Sequence, residues 1–189
     1  MVLVGNPNAG KSTLFNQLTG LRVKTANFPG TTLDVRAGSI ELNGERRDLI
    51  DMPGLYSLTA VASEERIAME AILGETPGRP KPAVVILIVD ATNLVRNLFL
   101  ASQVLELGIP TVVALNMTDL ARKSGIRIDP DALSHHLGCA VIPTAAKSGA
   151  GVAEIKTACE ALIREGKAPE GVKLLAGRQD VSQAIRYDW

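Results

Sequence analysis

Two hydrophobic rhythms alternate along the 189 residues of this chain. Leu14, Phe15 and Leu18 recur at helical spacing within Lys11–Thr19, and Leu94, Leu98, Ala101 and Leu105 line one face of 93–107. Between such segments lie near-continuous Val/Ile/Leu runs, VVILIV in 83–90 and TVVAL in Thr111–Asn116. Runs of that kind suit strands covered on both faces in a parallel sheet. Residues 2–4 and Ala140–Pro143 read as shorter strands, and 32–42 and 46–51 as a hairpin turned by Asn43-Gly44. Helices are further predicted over 64–73, where Ser63 precedes an acidic first turn, and over Pro130–Leu137 and 151–165. The 75–82 segment, ETPGRPKP, reads as a loop.

The resulting order, β-α-ββ-α-β-α-β-α-β-α, predicts a three-layer α/β domain over 1–165. Its sheet has six strands, mostly parallel, with one antiparallel edge strand. In the tail 166–189, Leu174, Leu175, Val181, Ile185 and Trp189 fit one helix, too little for a second domain.

Composition narrows the function. The chain is 46% hydrophobic and its charges cancel, 20 basic against 20 acidic, which argues against a broad nucleic-acid footprint. Its longest charge-free apolar run, 83–89, is far below the ~20 residues of a membrane helix. Cys139 and Cys159 form no CxxC pair and no disulfide framework, consistent with a reducing cytosol and buried packing.

The chemistry concentrates in loops. Gly5-Asn6-Pro7-Asn8-Ala9-Gly10-Lys11-Ser12 is a GxxxxGKS motif placed directly after a strand and before a helix, with Thr13 following. In that setting successive N–H groups and the helix N-terminus point positive charge at a phosphate. Lys11 would bridge β- and γ-phosphates and the Ser12 hydroxyl would coordinate Mg²⁺. Asp51-Met52-Pro53-Gly54 ends a strand; its carboxylate suits Mg²⁺ through a water and its glycine N–H suits a γ-phosphate. Asn116-Met117-Thr118-Asp119 follows a buried strand. A buried Asp119 carboxylate would accept two hydrogen bonds from guanine that adenine has no donors for, selecting GTP and GDP over adenine nucleotides. Asn116 would tie that loop to the phosphate loop. Backbone N–H groups of Thr144, Ala145 and Ala146 would add contacts to the guanine oxygen. The 27–34 linker, with Gly30, would close over the γ-phosphate, Thr32 supplying a second hydroxyl to Mg²⁺ and Thr31 the neighbouring alternative.

In this order and spacing the motifs look like a P-loop NTPase G domain. The wording GNPNAGKSTLFNQLTG, NFPGTTLD, DMPGLYSL, VDATNLVRNLFL and ALNMTDLA resembles the cytosolic N-terminal GTPase domain of the ferrous iron transport protein B family over about 1–165. NMTD, and VDATNLVRNLFL with no nucleotide chemistry of its own, carry that resemblance best. It implies GTP hydrolysis regulating Fe²⁺ uptake on the cytoplasmic side of a bacterial inner membrane. It also implies a membrane-embedded remainder of the same polypeptide, and small cytosolic accessory proteins as partners. The family follows its G domain with a helical bundle that 166–189 cannot supply, which points to a truncated or reduced helical region. The 75–82 loop is also longer than the family pattern.

The resemblance further implies that Asn8 ligates K⁺ beside the phosphates, doing the work of an arginine finger. Leu55 occupies the position where many GTPases place a water-orienting Gln, so hydrolysis would be slow and rest on Lys11, Asn8, Gly54 and groups near Thr31 and Thr32. GTP occupancy, rather than turnover, is the alternative carrier of the signal. An RNA- or ribosome-associated assembly GTPase shares GxPNxGKS, but predicts a basic RNA-binding appendage or a second G domain, neither of which this neutral sequence shows. His135 and His136 are adjacent and face different sides of a helix, a solvated pair rather than a metal site. Glu64 and Glu65 read as helix-start residues and Arg46-Arg47 as a solvated edge.

Overall fold

The VILIV run is the hydrophobic centre of the molecule: Val85 to Val89 are all fully buried. The structure, a computed structural model, describes residues 1–21, 23–27, 34–58, 63–75, 80–166 and 185–187. Its elements are β1 (Val2–Gly5), α1 (Lys11–Thr19), β2 (Val23–Asn27), β3 (Asp34–Leu42), β4 (Glu45–Asp51), α2 (Ser63–Leu73) and β5 (Val85–Asp90). They continue with α3 (Leu94–Glu106), β6 (Thr111–Asn116), α4 (Thr118–Lys123), β7 (Ile126–Ile128), α5 (Pro130–Leu137), β8 (Ala140–Pro143), α6 (Val152–Glu165) and β9 (Ile185–Tyr187).

The main sheet has the order β2-β3-β4-β1-β5-β6-β8. All six expected strands are in it. β1 pairs in parallel with β4 and β5, β5 with β6, and β6 with β8, whereas β3 runs antiparallel to both its neighbours. A seventh strand, β2, lies outside β3, so the antiparallel strand is one position in from the edge. The hairpin turns where expected: Asn43 and Gly44 both take positive φ, 48° and 77°, as a two-residue turn matched to strand twist requires.

Alternate side chains of the central strands feed two cores. Val2, Val4, Val85, Leu87, Val89, Val113 and Leu115 pack with Leu98, Ala101, Val104 and Leu105 of α3 and with Leu133 and Leu137 of α5. Leu3, Ile86, Ile88, Val112 and Ala114 pack on the other face with Leu14, Phe15 and Leu18 of α1 and with Ile155 and Cys159 of α6. Helices therefore cover both faces, and every parallel strand delivers its C-terminal residue to one end of the sheet.

The VDATNLVRNLFL segment shapes the turn between β5 and α3. Asp90 accepts from the Thr92 amide (2.8 Å) and hydroxyl (2.7 Å). Buried Asn97 accepts from the Asp90 amide and donates to the Asn93 carbonyl, at 3.1 and 2.9 Å. Its conspicuous polar residues are thus the hydrogen-bonded frame of a turn.

Two further features depart from expectation. A short helix, α4, follows Met117 directly, and β7 forms a separate two-stranded sheet with β9. Ile185–Tyr187, expected to continue a tail helix, is a strand, because an antiparallel partner at Ile126–Ile128 satisfies its backbone and Ile and Tyr favour extended chain. The helix expected for the rest of the tail lies outside the described residues.

Candidate nucleotide site

Gly5 ends β1 and Lys11 begins α1, so the five-residue turn between them arches over the end of the sheet. Gly10 caps the helix in the left-handed conformation (φ 89°) with no side-chain hydrogen bond to the first turn. A Cβ at Gly10 would collide with Asn116 Nδ2, so only glycine lets the two loops touch. Asn8 is exposed and takes φ 65°, a conformation asparagine tolerates better than most residues. Pro7 is half-buried, Ala9 buried, and Ser12 and Thr13 exposed on the first turn of α1. Pro7 packs against the loop after β4: a Cβ on Gly54 would stand 2.9 Å from Pro7 Cγ and 3.0 Å from its Cα.

Asp51 ends β4 beside the phosphate loop, 7% exposed. Lys11 Nζ stands 3.7 Å from Asp51 Oδ1, an ion pair beyond hydrogen-bond range. Desolvation pushes the Asp51 carboxyl above its ordinary value, while the charges of Lys11 and Arg36 act in the opposite direction. Burial prevails, so the two cations offset the desolvation of the carboxylate only in part. Met52 and Leu55 are buried in the core and their amides donate to the Leu3 and Gly5 carbonyls (3.0 and 3.1 Å). Leu55 therefore faces away from the loop, as its apolar side chain requires.

At the other end, Asn116 is the joint. Its Nδ2 donates to the Ala9 carbonyl and its Oδ1 accepts from the Ala146 amide, both at 2.9 Å and both buried. This is the expected tie between the loops, with a second arm. Met117 adopts φ 61° and starts α4, leaving Asp119 in its first turn. The Thr118 hydroxyl donates to the Thr144 carbonyl (2.9 Å), locking the two loops together. Asp119 is exposed, not buried, because the turn at Met117 swings the helix start out of the sheet end.

The 144–146 loop also differs from expectation. The amides of Thr144, Ala145 and Ala146 donate to Leu115 O, Ala150 O and Asn116 Oδ1 respectively. All three N–H groups expected to meet a base oxygen are thus engaged within the protein. Gly30, Thr31 and Thr32 lie outside the described residues, as do the side chains of Glu64 and Glu65.

Four buried side-chain polar atoms lack a hydrogen-bond partner among the described residues: Asn6 Nδ2, Asn6 Oδ1, Asp51 Oδ1 and Thr144 Oγ1. They belong to the phosphate loop, the DMPG loop and the 144–146 loop. Unsatisfied polar atoms are costly, and their concentration at one end of the sheet marks a place built for a polar ligand or water.

Residues named for other reasons fall elsewhere. His135 and His136 sit on α5 with ring centroids 6.1 Å apart, and no group of three metal-ligating side chains occurs among the described residues. Burial pushes both thiols up to about 12, and Cys159 is packed in the core. Arg36, opposite Asp51 on the neighbouring strand, is a charge near the carboxylate that the motifs do not reveal. Its signal is parity: it shares a strand face with buried Ile40 and Leu42, where a charge is out of place.

A phosphate loop, a strand-end carboxylate and an NxxD loop on this sheet define a G domain of the P-loop nucleotide-binding class. The chain belongs to the ferrous iron transport protein B family, whose model matches residues 1–159. It is 46% identical over 177 residues to the Fe(2+) transporter FeoB of Escherichia coli (strain K12), covering 92% of this chain and 22% of that protein. The chain thus spans about a fifth of the length of the curated relatives it matches. It resembles the FeoB G-domain of Methanococcus jannaschii at 42% identity and TM-score 0.74, covering 86% of this chain and 96% of that one. It also resembles the cytosolic domain of the T. maritima FeoB iron transporter in its GMPPNP form, at 33% identity and TM-score 0.84, covering 94% of this chain and 68% of that one. Among the described residues no helix is long and apolar enough to cross a membrane.

Proposed function

We propose that this domain binds GTP and GDP and hydrolyses GTP slowly, and that this cycle regulates ferrous iron uptake through the membrane-embedded remainder of a longer polypeptide. The observation that carries the nucleotide reading is the convergence of the unpartnered buried atoms of Asn6, Asp51 and Thr144 on the end of the sheet that holds GxxxxGKS and NMTD. Membership of the family, and relatives solved with GDP and GMPPNP, support the same reading.

The residues divide the work. Backbone amides of Asn8, Gly10 and Lys11 would cradle the phosphates, joined by that of Ala9 once it leaves the Asn6 carbonyl it meets at 3.3 Å, and Lys11 would leave Asp51 to meet the β–γ bridge. Asp119, exposed at the mouth, would accept from the guanine N1–H and amine, and Asn116 would keep base and phosphate loops at fixed separation. A buried carboxylate with an unpartnered oxygen, paired with Lys11 whose chain neighbour Ser12 exposes a helix-start hydroxyl, suits a divalent cation, so Asp51, through a water, and Ser12, with Thr32, are the residues to hold Mg²⁺. When bound, Mg²⁺ would neutralise charge on the β- and γ-phosphates. Asn8, exposed beside the same phosphates, is the residue to hold K⁺.

The test is a competition of GTP, GDP, ATP and XTP for a fluorescent guanine nucleotide, on the wild type and Asp119→Asn. The expected outcome is displacement by GTP and GDP but not ATP, with preference passing to XTP in the variant. Displacement by ATP at similar concentration would overturn the reading. For the monovalent ion, turnover in KCl should exceed that in NaCl and the difference should vanish in Asn8→Ala; equal rates in the two salts would remove K⁺ from the scheme.

A further inference from the structure

Arg36, on β3, lies between β4 and α1. It is directly opposite Asp51 in the antiparallel ladder of β3 and β4, and directly opposed side chains lie on one sheet face with Cβ atoms about 4.5–5.5 Å apart. That face is the one covered by α1. There the Arg36 guanidinium donates to Asn16 Oδ1 at 3.0 Å and lies over the Phe15 ring, 5.5 Å from its centroid. Phe15 is fully buried and Asn16 half-buried, so the guanidinium is clamped from two sides on the helix that carries Lys11.

Among the described residues Lys11 is the ion-pair partner of the buried Asp51 carboxylate, while the Arg36 charge acts on it through space from the neighbouring strand, and the two cations differ in freedom. Lys11 is a flexible side chain at the mouth of the phosphate loop, 3.7 Å from Asp51. It cannot serve Asp51 and a bound phosphate equally well. Arg36 begins in a strand and ends in the Asn16–Phe15 clamp, with no route to a phosphate that keeps those contacts.

We propose that Arg36 is a positioning residue, the resident counter-charge that stays with Asp51 when Lys11 is drawn to the phosphates. Without it, Lys11 is the sole cation at Asp51, and capture of a phosphate means stripping a buried carboxylate of all compensation. A divalent cation supplied with the nucleotide makes good part of that loss. Arg36 thus lets phosphate capture proceed before the metal arrives, and its removal makes nucleotide binding more dependent on Mg²⁺.

The inference rests on the guanine-nucleotide reading, and the experiment separates the two. The dissociation constant of N-methylanthraniloyl-GDP is measured in excess MgCl₂ and in EDTA, and the ratio of the EDTA value to the Mg²⁺ value is compared across variants. In Arg36→Gln the ratio should rise about tenfold, the scale of one partly screened charge–charge interaction. Arg36→Lys should restore it towards wild type, and Asn16→Ala, which loosens the clamp but keeps the charge, should fall between. In an Asp51→Asn background Arg36→Gln should leave the ratio unmoved. An equal loss of affinity in both buffers, the result of a merely structural role, overturns the proposal, as does no change in either. If Arg36→Gln fails to fold by circular dichroism, an unaltered ratio in Asn16→Ala overturns it instead. A wild type that binds the probe in neither buffer strikes the nucleotide reading, not this one.

Discussion

The base end and the phosphate end of the site are completed to different degrees. At the base end, Asn116 already bridges Ala9 and Ala146, Thr118 holds Thr144, and the amides of 144–146 all have acceptors, so that Thr144 Oγ1 is the one buried side-chain atom there without a partner among the described residues. At the phosphate end, Lys11 is parked on Asp51, and Asn6 and Asp51 retain unpartnered buried atoms. One end is wired but for a single hydroxyl, and at the other Lys11 would have to exchange partners when a ligand arrives. A hydrogen-bonded loop pair beside a site that would exchange partners suits the nucleotide cycle proposed above, since a conformational change needs two arrangements of similar energy.

The contrast can be broken most severely at the joint between the ends. Gly10→Ala would drive a Cβ into Asn116 and strain a backbone at φ 89°, so we expect loss of nucleotide binding together with at least ~3 kcal/mol of stability. Gly20→Ala is the control: its φ is also positive, 61°, but nothing lies within 4 Å, and only the ~1 kcal/mol of backbone strain is expected. Equal effects in denaturant titrations of the two variants would show that steric contact with Asn116 is immaterial.

Next comes Asn116→Ala, which keeps every backbone in place but leaves a buried carbonyl and a buried amide without partners. The expected loss is about 2–4 kcal/mol, with weaker nucleotide binding. Retained affinity despite the lowered melting temperature would mean that the base end needs no wiring from Asn116.

At the phosphate end the sign reverses. The Asp51 carboxyl is pushed up, so the fold favours its protonated form. A group raised in the folded state contributes stability that is present below its ordinary value and lost as pH rises through the folded one. At neutral pH, nucleotide-free Asp51 is therefore a liability, and Asp51→Asn should raise Tm by about 2–4 °C while removing Mg²⁺-dependent tightening of GDP binding. A lowered Tm in the nucleotide-free protein would show that the pair with Lys11 outweighs desolvation.

The smallest effect is at the thiols, far from both ends. With folded values of about 12 against an ordinary 9.0, both cysteines stay neutral at physiological pH. Cys159 should resist a thiol reagent until the protein unfolds, and stability should begin to fall only as pH rises above about 9. Rapid labelling of Cys159 in the native protein at neutral pH would contradict its burial.

Much of this fold is legible in the chain because its strongest signals are local. Continuous Val/Ile/Leu runs need cover on both faces, Asn43-Gly44 matches the hairpin turn, and GxxxxGKS between a strand and a helix has few other uses. The features that escaped notice lack such signals. β2 (Val23–Asn27, VKTAN) and β7 (Ile126–Ile128, IRI) are too short or too polar for a clear period, and are strands because a partner lies alongside. Helix α4 is a six-residue segment whose start depends on the positive φ of Met117, which no pattern announces. Asp119 was expected buried from its role, but its exposure follows from where that turn aims the helix.

By itself the sequence determined the order of elements, the phosphate loop, the DMPG and NMTD loops, and the neutral charge that disfavours nucleic acid. Each depends on residue type and spacing within a few positions. Only the tertiary structure decided which polar atoms go without partners, that Lys11 rests on Asp51, that the 144–146 amides are engaged, and that Arg36 stands beside the same carboxylate. Those outcomes depend on residues far apart in the chain, such as Ala9 with Asn116 and Arg36 with Asp51. Burial and pairing energies belong to the packed arrangement and have no value until the sheet has brought its strand ends together.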